Sequence, residues 1–220
     1  MFGTQDLWLF VISGIALNLI PGPDFLYIVS RSAGQGVKAG VAASVGVGAG
    51  TLVHIFAAAF GISAVLAASP TAYQVIKILG GLYLLYMGVT MLVSKTTAIS
   101  NQTNSIASLT IAAKTSLARV FYQGFLTNTL NPKVALFFIA FVPQFIAPNS
   151  TNVIVSFLVL GFIFSVNGLL WCLIVAWFSA SVGATIKHSP RFALVAKKLA
   201  GGLFTYFGLS LWFGTNYLSD

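Results

Sequence analysis

Long apolar runs dominate the sequence, and each has about the length of a membrane-spanning helix. A helix needs roughly 20 apolar residues to cross the hydrocarbon core of a bilayer. Some of these runs carry no charged residue, and the others are interrupted only by a single charge or by prolines. The runs cover residues 7–29, 39–68, 73–93, 120–147, 153–186 and 199–218. The sequence therefore predicts an all-α integral membrane protein with six transmembrane helices.

The first run contains an interruption that a helix cannot pass undisturbed. Two prolines, a glycine and a carboxylate follow an asparagine in the stretch Asn18-Leu19-Ile20-Pro21-Gly22-Pro23-Asp24. Proline removes a backbone donor, so the freed backbone groups need partners in the protein or in a water-lined cavity. A carboxylate at membrane depth usually marks an ion, proton or substrate path. We predict a substrate site at Asn18, Pro21, Gly22, Pro23 and Asp24, and the alternative is a structural kink with Asp24 near the interface.

The fourth run repeats this arrangement. Gly124-Phe125-Leu126-Thr127-Asn128 precedes Asn131-Pro132-Lys133, much as Gly14-Ile15-Ala16-Leu17-Asn18 precedes Pro21. Residues 77–83 likewise resemble residues 198–204. Each half holds an odd number of spans, so the two halves must cross the membrane in opposite senses, as in transporters built from inverted repeats. We predict two inverted three-helix repeats, residues 1–94 and 120–220, with broken helices one and four and a cytoplasmic linker at residues 95–119.

The two broken helices are expected to meet near the middle of the membrane, where inverted repeats bind substrate. A broken helix offers amides to an anion and carbonyls to a cation, and an amino acid zwitterion has both charges. Asp24 is predicted to bind a substrate ammonium or a coupling proton. Lys133 is predicted to bind a carboxylate or pair with Asp24, unless it extends to the interface. Asn18, Asn128 and Asn131 would supply neutral donors and acceptors beside Pro132.

Polar and small residues of the second and fifth runs are further candidates. His54 is expected to be either a neutral, hydrogen-bonded imidazole or a proton relay. Asn167 is expected to line a cavity or to form an interhelical hydrogen bond. The second run also carries small residues at four-residue intervals, namely Gly36, Gly40, Ser44 and Gly48. Such faces pack membrane helices within a chain or between chains, so a homodimer is one expectation.

The placement of charge predicts the orientation of the chain. Hydrophobic residues make up 58% of the sequence and charged residues only 6%, with a net charge of +8. Basic residues concentrate in the loops after runs one, three and five, at Arg31, Lys38, Lys95, Lys114, Arg119, Lys187, Arg191, Lys197 and Lys198. Because basic loops stay inside, both termini are predicted outside. These loops would contact anionic membrane lipid. No basic stripe with interleaved aromatics indicates nucleic acid binding.

The two proline-containing motifs resemble those of the LysE/RhtB family of bacterial amino acid exporters, and the likeness extends over essentially the whole chain. It is carried mainly by Pro21-Gly22-Pro23-Asp24 and by Leu126-Thr127-Asn128-Thr129-Leu130-Asn131-Pro132-Lys133. Pro143-Gln144-Phe145 and the glycine pattern of residues 80–88 are similar to family features as well. The first motif is most similar to that of the threonine and homoserine exporting branch. Some relatives carry Asp at the position of Asn167, which makes a basic cargo less expected here.

The resemblance implies a secondary transporter of the bacterial cytoplasmic (inner) membrane that exports neutral, threonine-like or homoserine-like amino acids. Proton coupling by alternating access is implied, with Asp24 as the coupling residue and no cofactor. Alternatives are an exporter of another small metabolite or of a basic amino acid, a passive channel, or a membrane-embedded enzyme. The chain has 3 acidic residues, 2 histidines and 1 cysteine. This inventory predicts no metal site and argues against an enzyme, which needs a nucleophile with a base, a carboxylate pair or a metal cluster.

Overall fold

The structure is a computed structural model that describes residues 3–93, 115–147, 150–182, 194, 198–199 and 201–209. In chain order its helices are α1 (Leu7–Leu19), α2 (Pro23–Gln35), α3 (Val37–Ala68), α4 (Pro70–Val93), α5 (Leu117–Thr129), α6 (Pro132–Phe145), α7 (Val153–Val182) and α8 (residues 201–209). Helix α6 begins as an α-helix, passes through a π-helical turn at Phe137–Phe141 and ends as a 3-10 turn at Val142–Phe145. Such π-helical turns are often found next to functional sites.

Several of the helices have the length and composition of membrane spans. Of the residues that the structure describes, α3, α4 and α7 each qualify alone, and the bent pairs α1–α2 and α5–α6 raise the number to five if each pair is one span. In the sixth predicted span, residues 199–218, residues 200 and 210–218 lie outside the described residues, as do residues 95–114 of the predicted linker at residues 95–119. The all-helical class is therefore confirmed, whereas the arrangement of six spans as inverted repeats stays a prediction.

The interruptions predicted in the first and fourth runs are confirmed. The axes of α1 and α2 differ by 57°, and those of α5 and α6 by 47°. In each pair the second helix begins at a proline, Pro23 or Pro132, whose missing N–H costs nothing at that position. At the second break the Asn131 side chain caps α6 by accepting a hydrogen bond from the Lys133 amide at 3.0 Å.

Glycines allow α3 to approach its neighbours closely. Gly36, with a φ of +84°, connects α2 to α3 in a conformation that other residues rarely adopt. A side chain at Gly46 or Gly50 would collide with backbone atoms of α5, and one at Gly40 would collide with Ser32 and Ala176. The small residues of this helix therefore pack α3 against α2, α5 and α7 within one chain.

Two apolar clusters fill the interior. The aromatic cluster is centred on α1, α6, α7 and α8 and includes Phe10, Phe137, Phe138, Phe141, Phe145, Phe164, Phe204 and Phe207. The aliphatic cluster joins α2, α3, α5 and α7 and consists of Ile28, Val29, Ala43, Val47, Val120, Val175 and Ala176. The outward faces are apolar too, since Phe60, Leu79 and Phe162 are 56%, 60% and 70% exposed. Exposed apolar surface of this kind suits contact with lipid.

The N-terminal segment is tied to the end of α6. The Gln5 amide donates to the Phe145 carbonyl at 2.9 Å, and the Ala147 amide donates to the Gly3 carbonyl at 2.9 Å. Thr4 and Ile146 form an isolated antiparallel bridge between these segments. These bonds close the end of the bundle on which the aromatic cluster lies.

Candidate functional site

The two helix breaks meet at Asp24. Its Oδ2 atom accepts hydrogen bonds from the side-chain amide of Asn128 at 3.0 Å and from that of Asn131 at 2.8 Å. Asn128 is in the last turn of α5 and Asn131 is the N-cap of α6, and both are buried. Asp24 lies in the first turn of α2, where the helix dipole favours a negative charge. One carboxylate therefore connects α2 to both halves of the second broken helix.

Lys133 makes the reciprocal connection to the first broken helix. Its ammonium donates to the carbonyls of Leu17 and Ile20, each at 3.3 Å. The last carbonyls of a helix have no partner within it and carry its partial negative charge, so a cation there is favourable. The Lys133 ammonium thus bonds to backbone carbonyls, whereas the Asp24 carboxylate bonds to side-chain amides. The direct pairing of Asp24 with Lys133, which was one of the alternatives, is not found.

Helix α3 supports the second break through two side chains. The Thr51 hydroxyl lies 3.2 Å from Asn128 Oδ1 and also 3.2 Å from the Val47 carbonyl oxygen, so its one hydrogen is shared between these two acceptors. His54 Nε2 lies 2.9 Å from the Asn128 carbonyl oxygen, and because a carbonyl only accepts, this ring nitrogen carries the hydrogen. The imidazole is therefore hydrogen-bonded to the backbone of the break, and His54 is not among the residues that line the central cavity described next.

A cavity of about 50 Å³, here called the central cavity, lies between the two breaks and helices α3 and α7. One water molecule needs roughly 10–15 Å³ of such space, so the cavity is small. Members of both apolar clusters contribute to its walls. The lining residues are Leu17, Asn18, Ile20, Gly22, Asp24, Phe25, Ile28, Val47, Gly48, Thr51, Asn128, Lys133, Val134, Phe164, Ser165, Gly168, Leu169, Trp171, Cys172 and Val175.

Several residues around the central cavity have buried polar atoms without a hydrogen-bond partner. These atoms are Asn18 Nδ2, Asp24 Oδ1, Ser165 Oγ and Trp171 Nε1. Native proteins pair the large majority of their buried polar groups, because an unpaired one costs about 1–3 kcal/mol. Asn18 Nδ2 and Trp171 Nε1 can only donate, Asp24 Oδ1 accepts when ionised, and Ser165 can do either. The residues that line the cavity therefore include unpaired donors together with an unpaired carboxylate oxygen.

Most of the predicted site residues come together here, although not all of them touch the cavity. Asn18, Gly22, Asp24, Asn128 and Lys133 line it. Asn131 is not a lining residue but donates a hydrogen bond to Asp24 Oδ2. Pro21, Pro23 and Pro132 lie at the two breaks. Asn167 lies on α7 outside the cavity lining, immediately before the lining residue Gly168.

Sequence reasoning missed some residues of the site, and the polar ones among them are all on α3 and α7. Thr51, Ser165 and Trp171 contribute polar atoms, and Gly48, Gly168 and Cys172 line the walls. Thr51 lies one turn before His54, so a polar face on α3 was the available signal. The structure brings no group of three or more His, Cys, Asp or Glu side chains into metal-binding distance anywhere in its described ranges.

Comparison with known proteins identifies relatives over nearly the whole chain. An uncharacterized membrane protein of Pseudomonas aeruginosa is 32% identical over 209 residues, which cover 95% of each chain. Leucine efflux proteins of Enterobacter sp. and of Salmonella choleraesuis are 30% and 28% identical, each over 210 residues that cover 96% of both chains. No solved structure matches the chain.

The family model of LysE type translocators matches residues 15–215, a range that includes both helix breaks and every residue of the central cavity. This match and the efflux proteins among the relatives identify the chain as a transporter and not an enzyme. The resemblance found in the sequence is thereby confirmed: the chain belongs to the family of LysE type translocators.

Proposed function

We propose that this protein exports neutral amino acids from the bacterial cytoplasm, driven by protons, and that the central cavity is its substrate site. The observation that carries the proposal is the set of unpaired polar atoms around that cavity, on Asn18, Asp24, Ser165 and Trp171. An α-amino acid brings an ammonium and a carboxylate, which need an acceptor and donors respectively. The site has both.

In the proposed bound state the substrate ammonium donates to Asp24 Oδ1. The other oxygen, Oδ2, is already held by Asn128 and Asn131, so the carboxylate is fixed in orientation before substrate arrives. Preorganisation of this kind lowers the entropy lost on binding. The substrate carboxylate accepts from Asn18 and Trp171, and from Lys133 when its ammonium leaves the α1 carbonyls.

Asp24 is also the proposed coupling residue. It is the one carboxylate among the residues that line the central cavity, and the chain as a whole has 3 acidic residues. In this scheme Asp24 binds the substrate ammonium on the cytoplasmic side and a proton on the outside. One proton moving inward across 100 mV yields about 2.3 kcal/mol, enough for roughly a fifty-fold outward gradient of a neutral zwitterion.

The proposed movement is alternating access about the two breaks. The central cavity is bounded by the aromatic cluster on one side and by the aliphatic cluster on the other. Opening either cluster in turn would expose Asp24 to one side of the membrane. Support for two related halves comes from Asp24 and Lys133, which hold equivalent positions after the prolines that begin α2 and α6. The proposed halves are residues 1–94 and 120–220, joined by the linker at residues 95–119.

The proposed orientation places both termini outside the cytoplasmic membrane. Its support is the concentration of basic residues in the loops after apolar runs one, three and five. Two of these residues, Arg31 and Lys38, lie near the junction of α2 and α3. In this orientation the aliphatic cluster faces the cytoplasm and the aromatic cluster faces outward. The basic loops then lie beside anionic lipid. A homodimer stays a prediction, since the small residues of α3 already have partners within the chain.

Two kinds of neutral cargo have support. The Pro21-Gly22-Pro23-Asp24 motif favours threonine and homoserine through its resemblance to that branch of the family. Relatives named leucine efflux proteins favour leucine, and so do apolar walls that include Ile28, Val47 and Leu169. A basic cargo has less support, because Asp24 would have to bind both the α-ammonium and a second positive charge.

The test is counterflow in proteoliposomes that contain the purified protein. Labelled threonine and labelled leucine are offered separately, each challenged by homoserine, alanine and lysine, with protein-free liposomes as the control. We expect exchange of a neutral amino acid that lysine does not displace. Transport of the amino acid against its own concentration gradient should then respond to an imposed pH gradient and vanish with an uncoupler. Net efflux that runs only down the amino acid gradient and does not respond to the uncoupler would indicate a passive channel, and no exchange with any amino acid would contradict the proposal.

A further inference from the structure

The glycines of α3 and α7 fall into two groups according to what an added methyl group would meet. In the first group glycine is required by packing: a methyl at Gly50 would lie 2.7 Å from the Phe125 carbonyl oxygen, and one at Gly161 would lie 2.6 Å from the Ile55 side chain. Gly46 is held even more tightly against the backbone of α5. Close approach of helices explains these residues.

Gly48, Gly61 and Gly168 form the second group, where packing does not require glycine. A methyl at Gly48 would have Leu169 Cδ1 as its nearest neighbour at 3.8 Å, and one at Gly168 would have Asn18 Nδ2 at 3.5 Å. Both distances are ordinary van der Waals contacts. Glycine within a helix is less favourable than alanine, because it loses more backbone freedom on folding. Packing therefore does not explain glycine at these three positions.

Gly48 and Gly168 differ from Gly61 in one feature, since both line the central cavity and Gly61 does not. They approach it from α3 and α7, whereas Asp24 and Lys133 approach it from α2 and α6. Apolar lining residues on the same two helices include Val47, Phe164, Leu169 and Val175, and the side chain nearest to Gly168 is that of Asn18. A substrate whose charged head group binds Asp24 would direct its side chain toward this apolar part of the cavity.

We propose that Gly48 and Gly168 determine the largest side chain that the transporter accepts, by leaving room for an aliphatic side chain between α3 and α7. The inference rests on the proposed function of the central cavity and deepens it, since it names two specificity-determining residues and an aliphatic class of cargo. A methyl group added at either position would narrow this small cavity. Larger cargo should therefore lose more from the substitution than smaller cargo.

The experiment compares how well alanine, threonine, valine and leucine compete in counterflow by the wild-type protein and by the variants Gly48→Ala and Gly168→Ala. We expect each variant to shift the preference from leucine toward alanine by about tenfold, the usual effect of one methylene in an apolar pocket. Leu169→Ala enlarges the same wall and should shift the preference in the opposite direction. This variant tests the inference even if added methyl groups impair folding.

Gly61→Ala is the matched control, because Gly61 is also on α3, lies away from the cavity and has nothing within 4 Å of an added methyl. It should leave both the preference and the yield of folded protein unchanged. Gly46→Ala should lower that yield, measured by size-exclusion chromatography in detergent. An unchanged preference in both alanine variants and in Leu169→Ala, with normal exchange by the wild type, would overturn this inference alone. A wild type that exchanges no amino acid would overturn the proposed function as well.

Discussion

The two helix breaks have similar sequences but differ in how fully their polar side chains are bonded. At the second break the side-chain amides of Asn128 and Asn131 use both their oxygen and their nitrogen, with Thr51, the Lys133 amide and Asp24 as partners. The Thr129 hydroxyl is the unpaired buried group there. At the first break Asn18 Nδ2 and Asp24 Oδ1 are buried without partners, and both residues line the central cavity.

This difference assigns different tasks to the two breaks. The second break has a mainly structural role, since its side-chain amides orient Asp24 and cap α6. The first break carries groups whose bonding is incomplete in the protein alone, and a bound zwitterion would complete it. Substitutions at the second break should therefore reduce stability and transport together, whereas substitutions at the first should reduce transport with little effect on stability.

The largest effect is expected from Lys133→Met, which removes the ammonium that joins the two breaks. The Ile20 carbonyl loses the ammonium, the Leu17 carbonyl keeps the Ile20 amide as a donor, and Asp24 loses the nearby positive charge. Leaving a buried charge uncompensated costs about 3–5 kcal/mol, so we expect a clear fall in melting temperature in detergent and at least a hundred-fold loss of counterflow. Lys133→Arg keeps the charge and should retain most of the stability. Normal counterflow by Lys133→Met would contradict the bridging role.

Asn131→Ala is expected to have the next largest effect. It removes the N-cap of α6, worth about 1 kcal/mol, and a hydrogen bond to a charged group, worth about 1.5–3 kcal/mol. Thermal denaturation should report the loss of stability, and transport should fall by more than tenfold. Asn131→Asp is the matched variant, because it retains the cap but cannot donate to Asp24 when ionised. Recovery of transport in Asn131→Asp would show that capping alone matters at this position.

Asn18→Ala tests the prediction that residues of the first break contribute to transport but little to stability. Its Nδ2 atom has no partner in the protein, so no hydrogen bond from that nitrogen is lost and the melting temperature should change little. If Asn18 donates to the substrate carboxylate, the apparent affinity should fall by about tenfold, as expected for a hydrogen bond to a charged group. Asn128→Ala serves for comparison and should reduce both quantities. A loss of stability without a change of affinity in Asn18→Ala would reverse the roles of the two breaks.

Thr51→Val should have the smallest effect. It preserves shape and removes one hydrogen bond to Asn128 Oδ1, and such bonds between membrane helices average about 0.6 kcal/mol. We expect counterflow to fall by roughly two- to threefold, with Thr51→Ser close to the wild type. A loss as large as that of Asn131→Ala would mean that Thr51 contacts the substrate directly.

Local chemistry explains why the breaks could be predicted from the sequence. Pro21, Pro23 and Pro132 cannot continue a helix, and the asparagines beside them are the residues that bond freed backbone groups. The positions of α3, α4 and α7 followed from the length of their apolar runs, because a bilayer has a fixed thickness. These features depend on residues close together in the chain.

The lining contributed by α7 could not be predicted in the same way. This helix is apolar on all sides, so its sequence does not indicate which side faces inward. The structure turns Phe164, Gly168, Trp171 and Val175 toward the cavity, and Asn167 lies off this side of the helix. The bonds from Lys133 to the Leu17 and Ile20 carbonyls were not predicted either, because the sequence indicates that a break offers carbonyls to a cation but not which cation lies beside them.

The central claim is that Asp24 both binds the substrate and couples its export to protons, and Asp24→Asn tests it most directly. The amide keeps the size of the side chain and an oxygen that can accept from the substrate, but it cannot take up a proton. We predict that proteoliposomes with this variant still exchange labelled amino acid, at reduced affinity, and accumulate none against a gradient when a pH gradient and a membrane potential are imposed. Undiminished uphill transport by Asp24→Asn would contradict the account.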